Sequence, residues 1–338
     1  MKRKIGLMIL LISTIALLTA CGGNSSTAEA TPTSGTITVY TALEHELVDE
    51  FLADFNAQYP DITVNIVRDS TGVITARLIA EAENPQADLV WGTAASSMII
   101  LDEMGLLEPY APDGVERILP MFKSDAAVPT WVGITAWETA FIVNIPELER
   151  LGLGIDDIQC YDDLLRPELA GHIIMPHPAS SGTGFLTVAG LLQLRGETGG
   201  WDFFEQLHAN MDRYVHSGSQ PARMAASGET VIGISFGYAG TREVLRGAPV
   251  EVILPAAGSG WDMEANALIR RDEIHPAALT FLNWAISESA FALYAPHYDI
   301  IATGGGNVAQ LIENDFGWTA RSRDVILDTW TERFGAGQ

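Results

Sequence analysis

The sequence predicts an α/β chain built as two lobes, the second inserted into the first. Three observations lead there. Residues 36–108 alternate short strand-like runs with helical runs of about ten residues, the pattern of a parallel sheet with right-handed crossovers. Extended sequence with no helix inside it then fills 131–145. A second alternating series follows, and the body of about 300 residues is long enough for two cores.

Each element has its own reason. "TITVY" (36–40) alternates as a strand, and "EHELVDEFLADFNAQYP" places Leu47, Val48, Phe51, Leu52 and Phe55 on one helical face before Pro60 closes it. "ITVNIV" (62–67) is the second strand, "GVITARLIAEAEN" the second helix, "ADLVWG" (87–92) the third strand and "SSMIILDEMGLL" the third helix. "WVGITAWETAFIVNI" (131–145) reads as two extended stretches in succession, of the kind that run between lobes. "YDDLLRPELAG" is a short helix and "HIIMP" a strand, after which a long helical segment runs to about Asp212. "TVIGISF" (230–236), "VEVILP" and "MEANALIR" are strands, with the helix "YAGTREVLRG" between the first two. "HPAALTFLNWAISESAFALYAPHY" reads as one long amphipathic helix, and "RSRDVILDTWTERF" as the last. The expected boundaries are 36–130 with 260–338 for lobe 1, and 131–259 for lobe 2.

The N-terminus reads as a targeting segment. "MKRK" is a basic start, and "IGLMILLISTIALLTA" is an apolar run shorter than the roughly 20 residues of a spanning helix. It closes on "LTAC", which looks like a bacterial lipobox that would place a lipid on Cys21. Residues 1–20 are therefore expected to be a lipoprotein signal peptide, and 21–35, small and polar, a flexible tether. The body would be exported and lipid-anchored to a membrane, in the periplasm or at the cell surface. Cys160 is then left single and is expected to be a buried structural thiol. A net charge of −24 argues against nucleic acid. It also means that any anion must be captured by local dipoles against the global field.

Several stretches carry possible chemistry. "PHPASSGTGF" (176–185) follows a strand and precedes a helix, so its glycines, hydroxyls and free helix N–H groups suit an anion, or form a plain helix cap. It has no Lys and is not a nucleotide P-loop. "GISFG" (233–237) matches the G-x-S-x-G of a hydrolase elbow, with Ser235 as nucleophile and Asp262 or Glu264, then His275 or His297, in triad order. There is no HGGG-type oxyanion motif. Otherwise Ser235 and Tyr238 sit at a strand end, where α/β folds place ligand groups. "YTALE" (40–44) offers Thr41, the following amides and Glu44, or a solvated helix start. "WGTAASS" (91–97) repeats that arrangement with Thr93 and Ala94. In "GWDMEA" (260–265), Trp261 and Glu264 suit an ammonium group, or are a core Trp and a surface Glu. The seven His are scattered with no paired zinc spacing, and no metal or cofactor is expected.

As a set, "VYTALE", "VRDSTGVITARLIAEAENPQADLVWG", "WVGITAWETAFIVN", "MPHPASSGTGF", "HSGSQPARMAASGE", "IGISFGYAG", "GWDMEA" and "NDFGWTARSRDVIL" resemble bacterial ABC-transporter substrate-binding lipoproteins. The resemblance is greatest to 2-aminoethylphosphonate-binding proteins, within the larger group that includes ferric-iron-binding proteins. It implies a type II periplasmic-binding fold, two α/β lobes joined by crossing strands around a ligand cleft. It implies a binding protein and not an enzyme, with an ABC permease as partner and a small phosphonate as ligand. On that analogy Ser180, Ser181, Gly182, Thr183 and Gly184 hold the phosphonate, and Thr41, Ala42 and Thr93 face it. For the ammonium end, inference beyond the motif offers Glu264 first and Glu44 second, with Trp137 and Tyr238 as walls. The iron-binding relatives use adjacent tyrosines, whereas "SFGYAG" has only Tyr238, and the first loop carries Glu44 and His45. Ferric iron or another oxyanion is thus one alternative, and an exported serine hydrolase using Ser235 the other.

Overall fold

The computed structural model describes residues 33–304 and 310–335. The expected signal segment, Cys21 and most of the tether lie outside them. The chain opens with β1 (Gly35–Thr41), α1 (His45–Gln58), β2 (Ile62–Arg68), α2 (Thr71–Ala80), β3 (Leu89–Ala94) and α3 (Ala95–Glu103). β1 pairs in parallel with both β2 and β3, as the strand–helix alternation requires. α1 buries Leu47, Val48, Phe51 and Phe55. Phe51 and Phe55 pack edge-on or tilted with Trp91, Phe281 and Trp284 in the first core.

After β4 (Leu107–Glu108) comes β5 (Val132–Asn144), one continuous strand where the sequence suggested two stretches. All 13 of its residues are buried, so neither face offers a place to break. The second half of the chain adds α4 (Ile145–Arg150), β6 (Ile173–Pro176), α5 (Gly182–His208), β7 (Met211–Val215) and α6 (Gln220–Ala226). It continues through β8 (Ile232–Phe236), α7 (Gly237–Leu245), β9 (Val250–Ile253) and β10 (Trp261–Ile269). Last come α8 (Pro276–Ala285), α9 (Glu288–Tyr294), β11 (Ile300–Ile301), α10 (Phe316–Arg321) and α11 (Arg323–Phe334). The strand order is β2-β1-β3-β10-β5-β8-β6-β7. The first part of β5, through Glu138, pairs antiparallel with β10; the rest, from Thr139, pairs with β8. β5 thus belongs to both halves.

Several further expectations are corrected. The long helix ends at His208, with Gly196 at φ 73° interrupting it, and 211–215 form the edge strand β7. Residues 161–169 make short 3-10 turns, broken by Pro167, instead of a helix. The segment 276–298 splits because Ser287 starts a new helix by accepting a hydrogen bond from Ala290 N–H at 3.1 Å. Cys160 is half-buried instead of buried. The last helix, grouped from sequence with lobe 1, contributes Ile326 and Trp330 to the second core beside Phe204.

Candidate functional site

The C-terminal ends of the parallel strands meet at one cleft, where open α/β sheets place ligands. Ala42 follows the end of β1, Arg68 ends β2, and Gly92 lies within β3. From the other half come the loop after β6 with Ser181, Gly182 and Thr183, the loop after β7 with Ser217 and Gly218, and Phe236 ending β8. Ser70, Thr71, Glu44, Trp137, Glu264 and Tyr298 complete a cleft with about 490 Å³ of empty space, part of it open to solvent.

Two helix N-termini enter this space, α2 behind Ser70 and Thr71 and α5 behind Ser181. Ser181 Oγ accepts from Gly184 N–H at 3.3 Å, so it caps α5 while lining the cleft. Ser70 makes no such side-chain cap on α2. First-turn N–H groups of both helices have no intrahelical acceptor and carry the positive end of the dipole. Arg68 is the one lysine or arginine among the lining residues. Its Nε donates to Leu43 O at 2.9 Å, and its Nη2 to Glu44 Oε1 at 3.3 Å, which fixes the guanidinium at the wall.

The two carboxyls differ. Glu44 Oε2 also accepts from Ser219 Oγ at 2.9 Å, so this side chain is engaged on both oxygens. Glu264 Oε2 accepts from Thr135 Oγ1 at 2.9 Å and Oε1 from Tyr298 OH at 3.1 Å. Burial raises the Glu264 carboxyl to about 8, outweighing those hydrogen bonds, so at neutral pH it holds its proton.

Of the residues selected from sequence, Ala42, Glu44, Trp137, Ser181, Gly182, Thr183 and Glu264 come together here. The others do not line the cleft. Thr41 is buried and its Oγ1 accepts from Leu43 N–H at 3.1 Å, shaping the first turn. Thr93 Oγ1 is buried with no hydrogen-bond partner among the described residues. Ser180 Oγ turns away to donate to His216 O at 2.9 Å. Gly184 packs on the preceding strand, where a Cβ would lie 2.9 Å from the carbonyl carbon of His177. Tyr238 stacks on Tyr298 at 5.5 Å and lines a separate groove behind it.

The hydrolase arrangement is not assembled. Ser235 is fully buried and donates to Gly218 O at 2.7 Å. His275 Nδ1 accepts from Ala277 N–H at the start of α8, His297 bonds Glu50, and Asp262 bonds Ser96. Among the described residues no three His, Cys, Asp or Glu side chains gather as a metal set. Sequence reasoning missed Arg68, Ser70, Thr71, Gly92, Ser217, Gly218, Phe236 and Tyr298. The strand-end rule applied to "YTALE" would have found "RDST" at the end of β2.

Comparison with known proteins agrees with this architecture. Residues 84–261 match the family model described as bacterial extracellular solute-binding protein. An uncharacterized protein of Haemophilus influenzae is 31% identical over 279 residues, 81% of this chain and 78% of that one. A protein of Sinorhizobium fredii described as a probable ABC transporter periplasmic-binding protein is 26% identical over 70% of this chain and 65% of its own length. Among solved structures, the periplasmic binding protein AfuA of Actinobacillus pleuropneumoniae, with fructose-6-phosphate bound, is 27% identical with a TM-score of 0.83. The match covers 90% of this chain and all of AfuA. The periplasmic binding protein P5PA is 28% identical with a TM-score of 0.81, over 89% of this chain and 99% of its own. The fold is the type II periplasmic-binding fold, and the iron-bound HitA of Pseudomonas aeruginosa, 17% identical, shares it at a TM-score of 0.71. This chain belongs to the bacterial extracellular solute-binding protein family, a family of binding proteins.

Proposed function

We propose that this chain is the binding component of an ABC importer and captures a small solute through its phosphonate or phosphate head. The observation that carries this is the convergence of Arg68, Ser70 and Thr71 with Ser181, Gly182 and Thr183 at two helix N-termini in one cleft. A tetrahedral dianion has acceptors for donors from both sides, and charge-assisted hydrogen bonds with a guanidinium are the strong ones. An N-terminal lipid on Cys21 would hold the body at the membrane beside its permease, with 36–130 plus 260–338 and 131–259 as the working lobes, except that the last helix packs with the second. Acylation is tested by labelled-fatty-acid incorporation, which Cys21→Ser should abolish.

2-Aminoethylphosphonate, implied by the sequence resemblance, is the first ligand to test. A phosphorylated sugar is a second reading, favoured by two observations. Glu44 is already engaged by Arg68 and Ser219, and Glu264 is held neutral, which suits hydroxyl groups better than an ammonium. AfuA, similar over nearly its whole length, holds fructose-6-phosphate. Iron is disfavoured because hard ferric iron needs several anionic oxygens, and the cleft's carboxyls are paired or protonated. Calorimetric titration with 2-aminoethylphosphonate, fructose-6-phosphate, inorganic phosphate and ferric citrate decides among these. Heat with either organophosphorus solute is expected; silence with both, or heat with ferric citrate alone, overturns the proposal.

A further inference from the structure

Gly72 lies in the first turn of α2, beside the cleft but not among its lining residues. Its N–H donates to Ser180 O at 2.9 Å, a backbone bond from one half of the molecule to the other. A Cβ at Gly72 would run into Ala179 O and stand 2.9 Å from both the Ala179 carbonyl carbon and Ser180 O. These are backbone atoms of the turn that leads into α5, and they cannot swing aside as a flexible side chain would. Gly72 does not have a positive φ. The helix itself therefore makes no demand for glycine, and alanine is the better helix former. What demands glycine here is the approach of the opposite loop.

Other contacts flank this one across the same boundary. His216 Nε2 lies 3.0 Å from Asp69 Oδ1, Ser219 Oγ donates to Glu44 Oε2 at 2.9 Å, and Arg242 Nη1 lies 3.4 Å from Glu46 Oε2. Opposite Gly72, a Cβ at Gly182 would stand 2.7 Å from Thr71 Oγ1. The two helix N-termini thus come within backbone contact because neither has a side chain at the meeting point.

We infer that the two halves part and close about the cleft and that Gly72 is the closure residue: its missing side chain lets α2 seat on the 179–180 backbone, and that seating sets ligand affinity by admitting the closed state. A variant that cannot seat should fold normally and bind weakly, since apparent affinity scales with the fraction of competent conformer. Closure can be read without ligand. In a Cys21→Ser, Cys160→Ser background of the full chain, Asp69→Cys with His216→Cys places one thiol on each side, and a short bis-maleimide joins them only on closure. Gly72→Ala should slow that crosslinking about tenfold and raise the Kd of the solute that binds the parent about tenfold, with the melting temperature kept. Unchanged crosslinking and affinity would overturn the inference. The affinity measurement rests on the proposed function, whereas the crosslinking does not. If the parent binds neither organophosphorus solute yet Gly72→Ala still slows crosslinking, the proposed ligand class fails and the closure role of Gly72 stands.

Discussion

Arg68 does two jobs with one guanidinium. Its Nε is tied to Leu43 O and one Nη to Glu44, which leaves the remaining donors for the cleft. Arg68→Ala should weaken binding of the captured anion by about 1.5–3 kcal/mol, the range for a hydrogen bond to a charged group. The same change takes from Glu44 one of its two cationic partners and leaves it Arg223, whose Nη1 lies 3.9 Å from Glu44 Oε2. Arg68→Lys keeps a charge but not the fork and should fall between the two. Titration calorimetry of the three proteins ranks them, and an Arg68→Ala protein that binds like the parent would remove Arg68 from the site. This residue also marks where sequence reading stopped. Against a net charge of −24, one arginine at a strand end carries no visible signal. Only the fold shows it as the lone lysine or arginine among the cleft-lining side chains.

At the scale of elements, α5 shows how a cap and a binding loop coincide. From sequence, "ASSGTGF" stood open between the two. Ser181 bonds Gly184 N–H and also lines the cleft, so the alternatives do not compete. Ser181→Ala should therefore lower both stability, by about 1 kcal/mol for a lost cap, and affinity. Ser181→Ala with Thr183→Ala should weaken anion binding by about 3–6 kcal/mol if each hydroxyl makes one bond to the charged group. Thermal melting beside calorimetry separates the effects, and unchanged affinity in the double variant would leave the loop a cap alone. Elements were legible where periodicity was strong, as in β1, α1 and α2. They were lost where local rules compete: Gly196 and Ser287 interrupt runs that read as continuous helices, and β7 lies in a stretch absorbed into α5. The site was half legible for a related reason. Thr41, Ser180, Gly184 and Ser235 have the right chemistry, but Thr41 and Gly184 are used by their own turns, and the Ser180 and Ser235 hydroxyls by backbone carbonyls of the loop after β7.

Among the described residues, β5 and β10 carry two glutamates whose carboxyls are raised, beside Asp262 on β10, which burial raises to about 6. Burial raises Glu138 on β5 to about 8, helped by the negative charge of Asp299, and burial raises Glu264 on β10 to about 8. Unfolded, each would release its proton near 4.5, an ordinary glutamate's value. Between those limits the folded chain binds more protons than the unfolded one. These groups therefore make stability fall as pH rises from about 4.5 to about 8, and then level off. Glu138→Gln with Glu264→Gln should flatten that decline relative to the parent, read as melting temperature against pH. Parallel curves would show that neither carboxyl is protonated in the folded chain.

β5 has one more consequence. Because a single strand of 13 residues supplies a hydrogen-bonding edge to both halves, neither half can be cut out whole. Expressed alone, either would be left with a buried apolar strand stripped of half its partners, the kind of open edge that recruits other chains. Swapping one half onto a relative's other half should succeed only if β5 travels with it. Inheritance in such proteins would then follow the strand and not the lobe.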